Sequence, residues 1–129
     1  MRKTVEIQVP AKVNLQLSVG PKKADGYHEV VTVFQAISLT DTLRISHADQ
    51  FGISIKGDFT NGVPLDKSNL VYKAVELMSE KFDTDKTIHI EINKNIPVAG
   101  GMAGGSADAA ATLLGIDALY GLGLSKDEL

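Results

Sequence analysis

The run Ile96-Pro97-Val98-Ala99-Gly100-Gly101-Met102-Ala103-Gly104-Gly105-Ser106-Ala107-Asp108 constrains this chain more than any other, because four glycines fall within six residues between two strongly patterned segments. Before it, Thr87 to Lys94 alternates apolar and polar residues as a strand does; after it, Ala109 to Tyr120 is almost wholly apolar and helical in character. Glycine enters positive-φ backbone regions and lets a ligand approach the main chain with no Cβ in the way. A loop with that freedom, feeding directly into a helix, can point unpaired N–H groups outward with the positive end of the helix dipole behind them. Such an arrangement binds phosphate, and a nucleotide is the first ligand to consider. Taken without its context, the same run would be a flexible connection and nothing more. Spacing excludes two common phosphate motifs. A Walker A loop ends in Gly-Lys-Ser/Thr, whereas Gly105 is followed at once by Ser106 and no lysine lies in the loop. The dinucleotide fingerprint needs glycines at i, i+2 and i+5, and no frame through Gly100, Gly101, Gly104 and Gly105 supplies them.

A chain of 129 residues is long enough for one domain with a real core. Its net charge of −3 argues against nucleic acid as the main partner, since backbone binding needs an excess of Lys and Arg. Cysteine is absent, which excludes disulfides and thiolate metal sites. The N-terminus runs straight into a strand pattern without an apolar signal core, and no apolar run approaches the ~20 residues needed to span a bilayer. A cytoplasmic protein with no membrane association is expected.

In chain order, Val5, Ile7 and Val9 predict a half-buried strand ending at Pro10. A second alternating run sets Val13, Leu15 and Leu17 on one face and Lys12, Asn14, Gln16 and Ser18 on the other. Gly20 to Gly26 reads as a polar loop, His28 to Leu39 as a long strand rich in β-branched residues, and Thr42 to Ser46 and Gly52 to Lys56 as two more strands. Asn61-Gly62 and Pro64 mark a loop, after which Ser68 or Asp66 can cap a helix carrying Val71, Val75, Met78 and Phe82. Ile88, Ile90 and Ile92 form a further strand. The helix after the glycine loop should be buried nearly all round and stop at Gly121. Ser125-Lys126-Asp127-Glu128 matches a capping box with no helix behind it, which predicts a truncated chain.

Three segments together carry a resemblance: Pro10-Ala11-Lys12-Val13-Asn14-Leu15, Asp25-Gly26-Tyr27-His28-Glu29, and the glycine loop. In order and spacing they resemble the N-terminal part of a GHMP-superfamily small-molecule kinase. The first two narrow the likeness to the members acting on a cytidyl alcohol in the non-mevalonate isoprenoid pathway. The resemblance implies an α+β fold: a mixed β-sheet with packed helices and a left-handed βαβ unit, whereas the general rule gives right-handed crossovers. It implies that residues 1–129 form a GHMP kinase N-terminal ATP-binding domain. It also implies ATP and Mg²⁺ as cofactors, with the γ-phosphate passing to the 2-hydroxyl, a tertiary alcohol, of the erythritol moiety. The loop residues Pro97, Val98, Ala99, Gly100, Gly101, Met102, Ala103, Gly104, Gly105, Ser106 and Ala107 would wrap the ATP phosphates, with Ser106 near phosphate or Mg²⁺. Lys12 would be catalytic, beside the acceptor hydroxyl and γ-phosphate. Asn69 and Lys94 match positions near the nucleotide, and Asn14, Tyr27 and His28 would bind the cytidyl substrate. His47 and His89 carry no such role. The chemistry suits the residues: phosphoryl transfer needs alignment and charge neutralisation, which backbone donors, one lysine and a metal provide.

The chain departs from the family pattern in places. Alanine stands at 99 and 103 where glycine is frequent, which is tolerable if both keep negative φ, and Ala107 replaces a serine. The Gly-x-Asp-x-Pro segment carrying the family's catalytic aspartate does not occur, nor does a C-terminal domain, so the chain is expected to be inactive by itself. A mevalonate- or homoserine-type kinase, or a non-catalytic binding module on the same scaffold, are the other readings open to the sequence.

Overall fold

The computed structural model describes residues 3–129. Four strands and two helices follow in the order β1 (Thr4–Lys22), β2 (His28–His47), β3 (Gly52–Lys56), α1 (Leu70–Phe82), β4 (Ile88–Asn93) and α2 (Gly104–Tyr120). The sheet order is β1-β2-β4-β3, antiparallel except for the parallel β3/β4 pair that α1 connects. The expected α+β class with a mixed sheet is the observed one.

Period-two alternation explains why one face of the sheet is apolar. Leu43 lies opposite Ile7 and Ile92, and Ile45 lies opposite Val5 and Ile90, while Ile53 and Ile55 continue the rows on β3. These side chains join Val71, Val75 and Met78 of α1 and Ala111, Ile116 and Leu119 of α2 in a single core. The opposite face is polar. There Arg44 reaches Glu6 at 2.9 Å and Lys56 reaches Glu91 at 3.0 Å, each pair well exposed and therefore contributing little.

Three strand boundaries differ from expectation, the first being that β1 runs on to Lys22, so that the loop expected from Gly20 begins only at Lys23. Pro10 does not end a strand; β1 continues through it because β1 is a sheet edge, where a missing N–H costs no ladder bond. Its pairing with β2 is broken between Pro10 and Lys12, between Asn14 and Gln16, and between Val19 and Lys22. β2 likewise runs unbroken through residues 28–47 instead of dividing near Leu39. The β1–β2 hairpin therefore extends beyond the helices, and there Leu15, Leu17, Val31 and Phe34 are exposed.

The helices also differ in detail. Asn69, not Ser68 or Asp66, caps α1, its side chain accepting the Val71 N–H at 2.9 Å. Asp66 closes the preceding turn instead, accepting the N–H and hydroxyl of Ser68. Helix α2 is not buried all round: Ser106, Ala110, Leu114 and Ala118, four residues apart, form an exposed stripe, because only one side meets the sheet and α1. Gly121 ends α2 in left-handed conformation as expected (φ 66°). The capping-box match survives as a turn, in which Glu128 accepts the Ser125 N–H at 2.8 Å.

Gly115 sets how closely α2 approaches the sheet, since a Cβ there would come within 2.4 Å of Ile45 Cδ1 and 3.1 Å of Ile7 Cδ1. Gly115→Ala gains about 1 kcal/mol of helix propensity but overpacks the core by about 1–3 kcal/mol, so a net loss in denaturant melts is expected. A stabilised variant would show that α2 has room to move off the sheet.

Candidate active site

The glycine loop is anchored by a buried charge cluster. Asp41 on β2 is fully buried, and its Oδ1 accepts the backbone N–H of Asn95 at 2.7 Å and of Ile96 at 2.8 Å. Its Oδ2 accepts from Lys94 Nζ at 2.5 Å, and the same ammonium donates to Asp108 Oδ2 on α2 at 3.0 Å. Lys94 is held at its backbone as well, donating to the Lys56 carbonyl and accepting from Phe59 N–H. The cluster thus ties the strand before the loop to the helix after it. Burial opposes the charge on Lys94, but the hydrogen bonds it donates to Asp41 and Asp108, with their charges, outweigh it and raise its pKa. Asp108 is pushed up to about 7, first by burial and then by Asp41, against the pull of Lys94. Its Oδ1 is buried with no hydrogen-bond partner among the described residues.

Above this cluster the loop opens its amides. The first helical bond of α2 runs from Ala107 N–H to the Ala103 carbonyl at 2.9 Å, so the N–H groups of Gly104, Gly105 and Ser106 precede the ladder. No side chain caps them. The loop from Pro97 to Ser106 lines a cavity of about 400 Å³ together with Gly62, Val63 and Pro64, with Asn69 and Leu70 at the start of α1, and with Lys94 and Asp108 at its base. Ala107 is not among the lining residues; it packs against the core. The condition set for the two alanines fails: Ala99 (φ 59°) and Ala103 (φ 57°) both adopt the left-handed conformation, as does Gly101 (φ 72°). A left-handed alanine costs about 1–2 kcal/mol, which the anchored loop ends impose.

Lys12 reaches the loop from β1. Its backbone N–H donates to the Met102 carbonyl at 3.3 Å, and its Nζ donates to the Gly101 carbonyl at 2.7 Å and to Asn14 Oδ1 at 2.8 Å. The structure therefore brings Lys12, Asn14 and the loop together. Tyr27 and His28 stand apart from them, at the tip of the hairpin. Tyr27 is 75% exposed in a turn where its N–H donates to Asp25, and a ring nitrogen of His28 lies 2.8 Å from the Gly20 carbonyl. Asn69 has its side chain engaged in capping α1 and in donating to the Pro64 carbonyl, so its place at the cavity is fixed by structure. Lys94 borders the cavity with its charge already paired. Sequence reasoning overlooked Asp41 and the part played by Asp108. An aspartate inside an otherwise apolar-alternating strand was the one signal for Asp41, and its partner lies 53 residues away.

Comparison with known proteins places this geometry. Residues 69–129 match the family described as "GHMP kinases N terminal domain". Over those residues the chain matches that family, and the mixed sheet with its two helices agrees with the match. It is 50% identical to the 4-diphosphocytidyl-2-C-methyl-D-erythritol kinase of Kineococcus radiotolerans over 98% of this chain and 40% of that protein. It is 52% identical to the enzyme of the same name from Saccharopolyspora erythraea, over 97% and 40%. Among solved structures, a crystal structure of 4-(cytidine 5'-diphospho)-2C-methyl-D-erythritol kinase matches at a TM-score of 0.73 and 37% identity, covering 94% of this chain and 42% of that one. Homoserine kinase from Cytophaga hutchinsonii shares the fold at a TM-score of 0.67 and 20% identity. The chain thus spans about 40% of the length of the curated relatives it matches. Among the described residues no helix is long and apolar enough to cross a membrane.

Two measurements follow from the site. Ala103→Gly removes left-handed strain and improves the N-cap, offset by a more flexible unfolded chain, so a gain of about 0.5–1 kcal/mol is expected, larger than for Ala99→Gly. Denaturant melts showing a loss in both would contradict the strain.

The second concerns pH. Asp108 keeps its proton up to about 7 when folded, against 3.8 ordinarily. Because its folded pKa is raised, the folded state binds more protons than the unfolded one between those values. Stability should therefore fall as pH rises from about 4 to about 7. Asp66, Asp85, Glu91 and Glu128, all held below the ordinary carboxylate range, act at lower pH. Asp108→Asn should flatten that fall in urea titrations; an unchanged slope would show that another group carries it.

Proposed function

We propose that this chain supplies the nucleotide-holding part of a kinase that passes the γ-phosphate of ATP to the 2-hydroxyl of 4-diphosphocytidyl-2-C-methyl-D-erythritol, a step of non-mevalonate isoprenoid synthesis. The observation that carries this reading is the unbonded row of amides at Gly104, Gly105 and Ser106, with Lys12 Nζ held against the same loop at Gly101. Phosphates bound there would meet N–H donors and the helix dipole on one side and an ammonium on the other. Preorganised donors of this kind stabilise the charge that develops on the transferring group, which is most of what phosphoryl transfer needs. The apolar walls at Val63, Leu70 and Val98 suit the adenine of ATP.

On the acceptor side, Lys12 and Asn14 would flank the hydroxyl. Tyr27 would offer its exposed ring face and His28 a ring nitrogen to the cytosine at the far end of the hairpin. Lys12 and Asn14 lie mid-way along β1, whereas Tyr27 sits in the turn and His28 opens β2, so the reading calls for a substrate that runs along the hairpin. Among the described residues no group of three or more acidic or histidine side chains is placed to hold a metal by itself. That suits Mg²⁺ carried largely by nucleotide phosphates, with the Ser106 hydroxyl as this chain's own donor. When bound, the ion would neutralise phosphate charge. The remaining length of the relatives would provide the aspartate base and the second domain.

Calorimetry should find Mg·ATP binding to these 129 residues, with no turnover of the cytidyl substrate by them alone. In the protein carrying this sequence, Lys12→Ala should lower kcat/KM by about 100-fold or more, several kcal/mol of transition-state stabilisation. A loss under about tenfold would remove Lys12 from the chemistry.

A further inference from the structure

Thr32 on β2 belongs to a closed run of hydrogen bonds that ends on the glycine loop. Its hydroxyl accepts from Asn14 Nδ2 at 2.7 Å and donates to the Gln16 carbonyl at 2.7 Å. Asn14 Oδ1 accepts from Lys12 Nζ at 2.8 Å, and Lys12 Nζ donates onward to the Gly101 carbonyl at 2.7 Å.

The chemistry of the donors fixes every direction in this run. An ammonium has three donors and no acceptor, so the Asn14 atom facing Lys12 must be its oxygen. The Asn14 NH₂ is then committed to Thr32, whose oxygen must accept. The Thr32 proton is left for the Gln16 carbonyl, which can only accept. Turning any member round would set donor against donor. Two of the three Lys12 N–H groups are used, and the Phe34 ring lies 5.3 Å from the ammonium on another side. Among the described residues the third N–H has no hydrogen-bond acceptor, and its direction depends on the other two.

We propose that Thr32 is a positioning residue: by orienting the Asn14 amide it holds Lys12 Nζ against Gly101 with one N–H free for the terminal phosphate of a bound nucleotide. This rests on the nucleotide reading above. Without the Thr32 hydroxyl, the Asn14 NH₂ loses its partner, the amide can rotate, and the ammonium keeps only one fixed acceptor. The phosphate most affected is the one that ATP has and ADP lacks.

The test compares the chain with Thr32→Val, which keeps the side-chain shape without the hydroxyl, and Thr32→Ser, which restores the hydroxyl. The preference for Mg·ATP over Mg·ADP, taken from calorimetric Kd values, should fall about fivefold in Thr32→Val and stay within about twofold of the parent in Thr32→Ser. The side-chain amide resonances of Asn14 should shift in the first variant and return in the second. With Asn14→Ala already in place, Thr32→Val should change the preference no further. Thr32→Ala stands in should the valine variant fail to fold. A preference unchanged in Thr32→Val while both nucleotides bind overturns the role of Thr32 and leaves the kinase reading intact. A parent chain that binds neither nucleotide removes the kinase reading, and unshifted Asn14 resonances would then overturn the relay itself.

Discussion

One ammonium ties the glycine loop to the rest of the molecule. Lys94 Nζ sits between Asp41 of the sheet and Asp108 of α2, and Asp41 also takes the two amides with which the loop begins. A run with four glycines has few side chains of its own with which to hold a shape, so its ends must be fixed from outside. Breaking a buried pair of this kind by removing one partner costs about 3–5 kcal/mol. That is a large share of the 5–15 kcal/mol typical of a folded domain. A well-packed apolar trio could match the stability of the cluster, but it could not accept backbone N–H groups at fixed positions. The cluster therefore contributes direction more than strength. Gly104 belongs to the same arrangement: a Cβ there would lie 2.8 Å from Lys94 Nζ and 2.9 Å from Ile96 Cγ2, so α2 begins where Lys94 lets it.

Charge balance follows from the same three groups. Two carboxylates and one ammonium leave an excess negative charge beneath amides that are open to an anion. The raised pKa of Asp108 relieves that excess near neutrality, since its protonated form leaves Lys94 and Asp41 as a neutral pair. An ionised Asp108, just past the first turn of α2, would compete with any phosphate for the field at the helix start. Raising the Asp108 pKa thus weakens the buried negative charge that would work against the dipole and amides of the loop.

Much of this architecture was legible in the chain. The alternation of Leu43 with Ile45, and of Ile88, Ile90 and Ile92, marks the core face of the sheet because a half-buried strand has no other way to satisfy burial and solvation. The glycine run marked the loop that leads into α2, and Gly121 marked the end of α2. What stayed hidden depended on neighbours in space. Pro10 reads as a strand end unless it is known that β1 lies at a sheet edge. Asp66 and Ser68 are as good caps as Asn69 by residue type, and only the turn that Asp66 closes decides between them. Ala99 and Ala103 give no sign in sequence of left-handed backbone, because the loop's fixed ends impose it. Asp41 showed in sequence only as an aspartate among alternating apolar residues, its partners lying far along the chain.

The breaks in the β1–β2 ladder explain how one strand can serve both the core and the site. Up to Pro10 the pairing is regular and Val5, Ile7 and Val9 face the core. Ala11, fully buried, is then left out of the ladder together with residues 37–39 of β2, and Leu15, 66% exposed, is left out in turn. Lys12 to Asn14 lies between these two irregularities. A residue left out of an antiparallel ladder bends its strand and re-aims the side chains beside it. Here the first irregularity brings the Lys12 backbone to the Met102 carbonyl and its ammonium to Gly101. Beyond the second, the apolar residues Leu15, Leu17 and Val19 of the hairpin are uncovered. Regular pairing from Thr4 to Lys22 would have carried Lys12 along the unbroken alternation of a flat sheet, and the contact between hairpin and loop would not form.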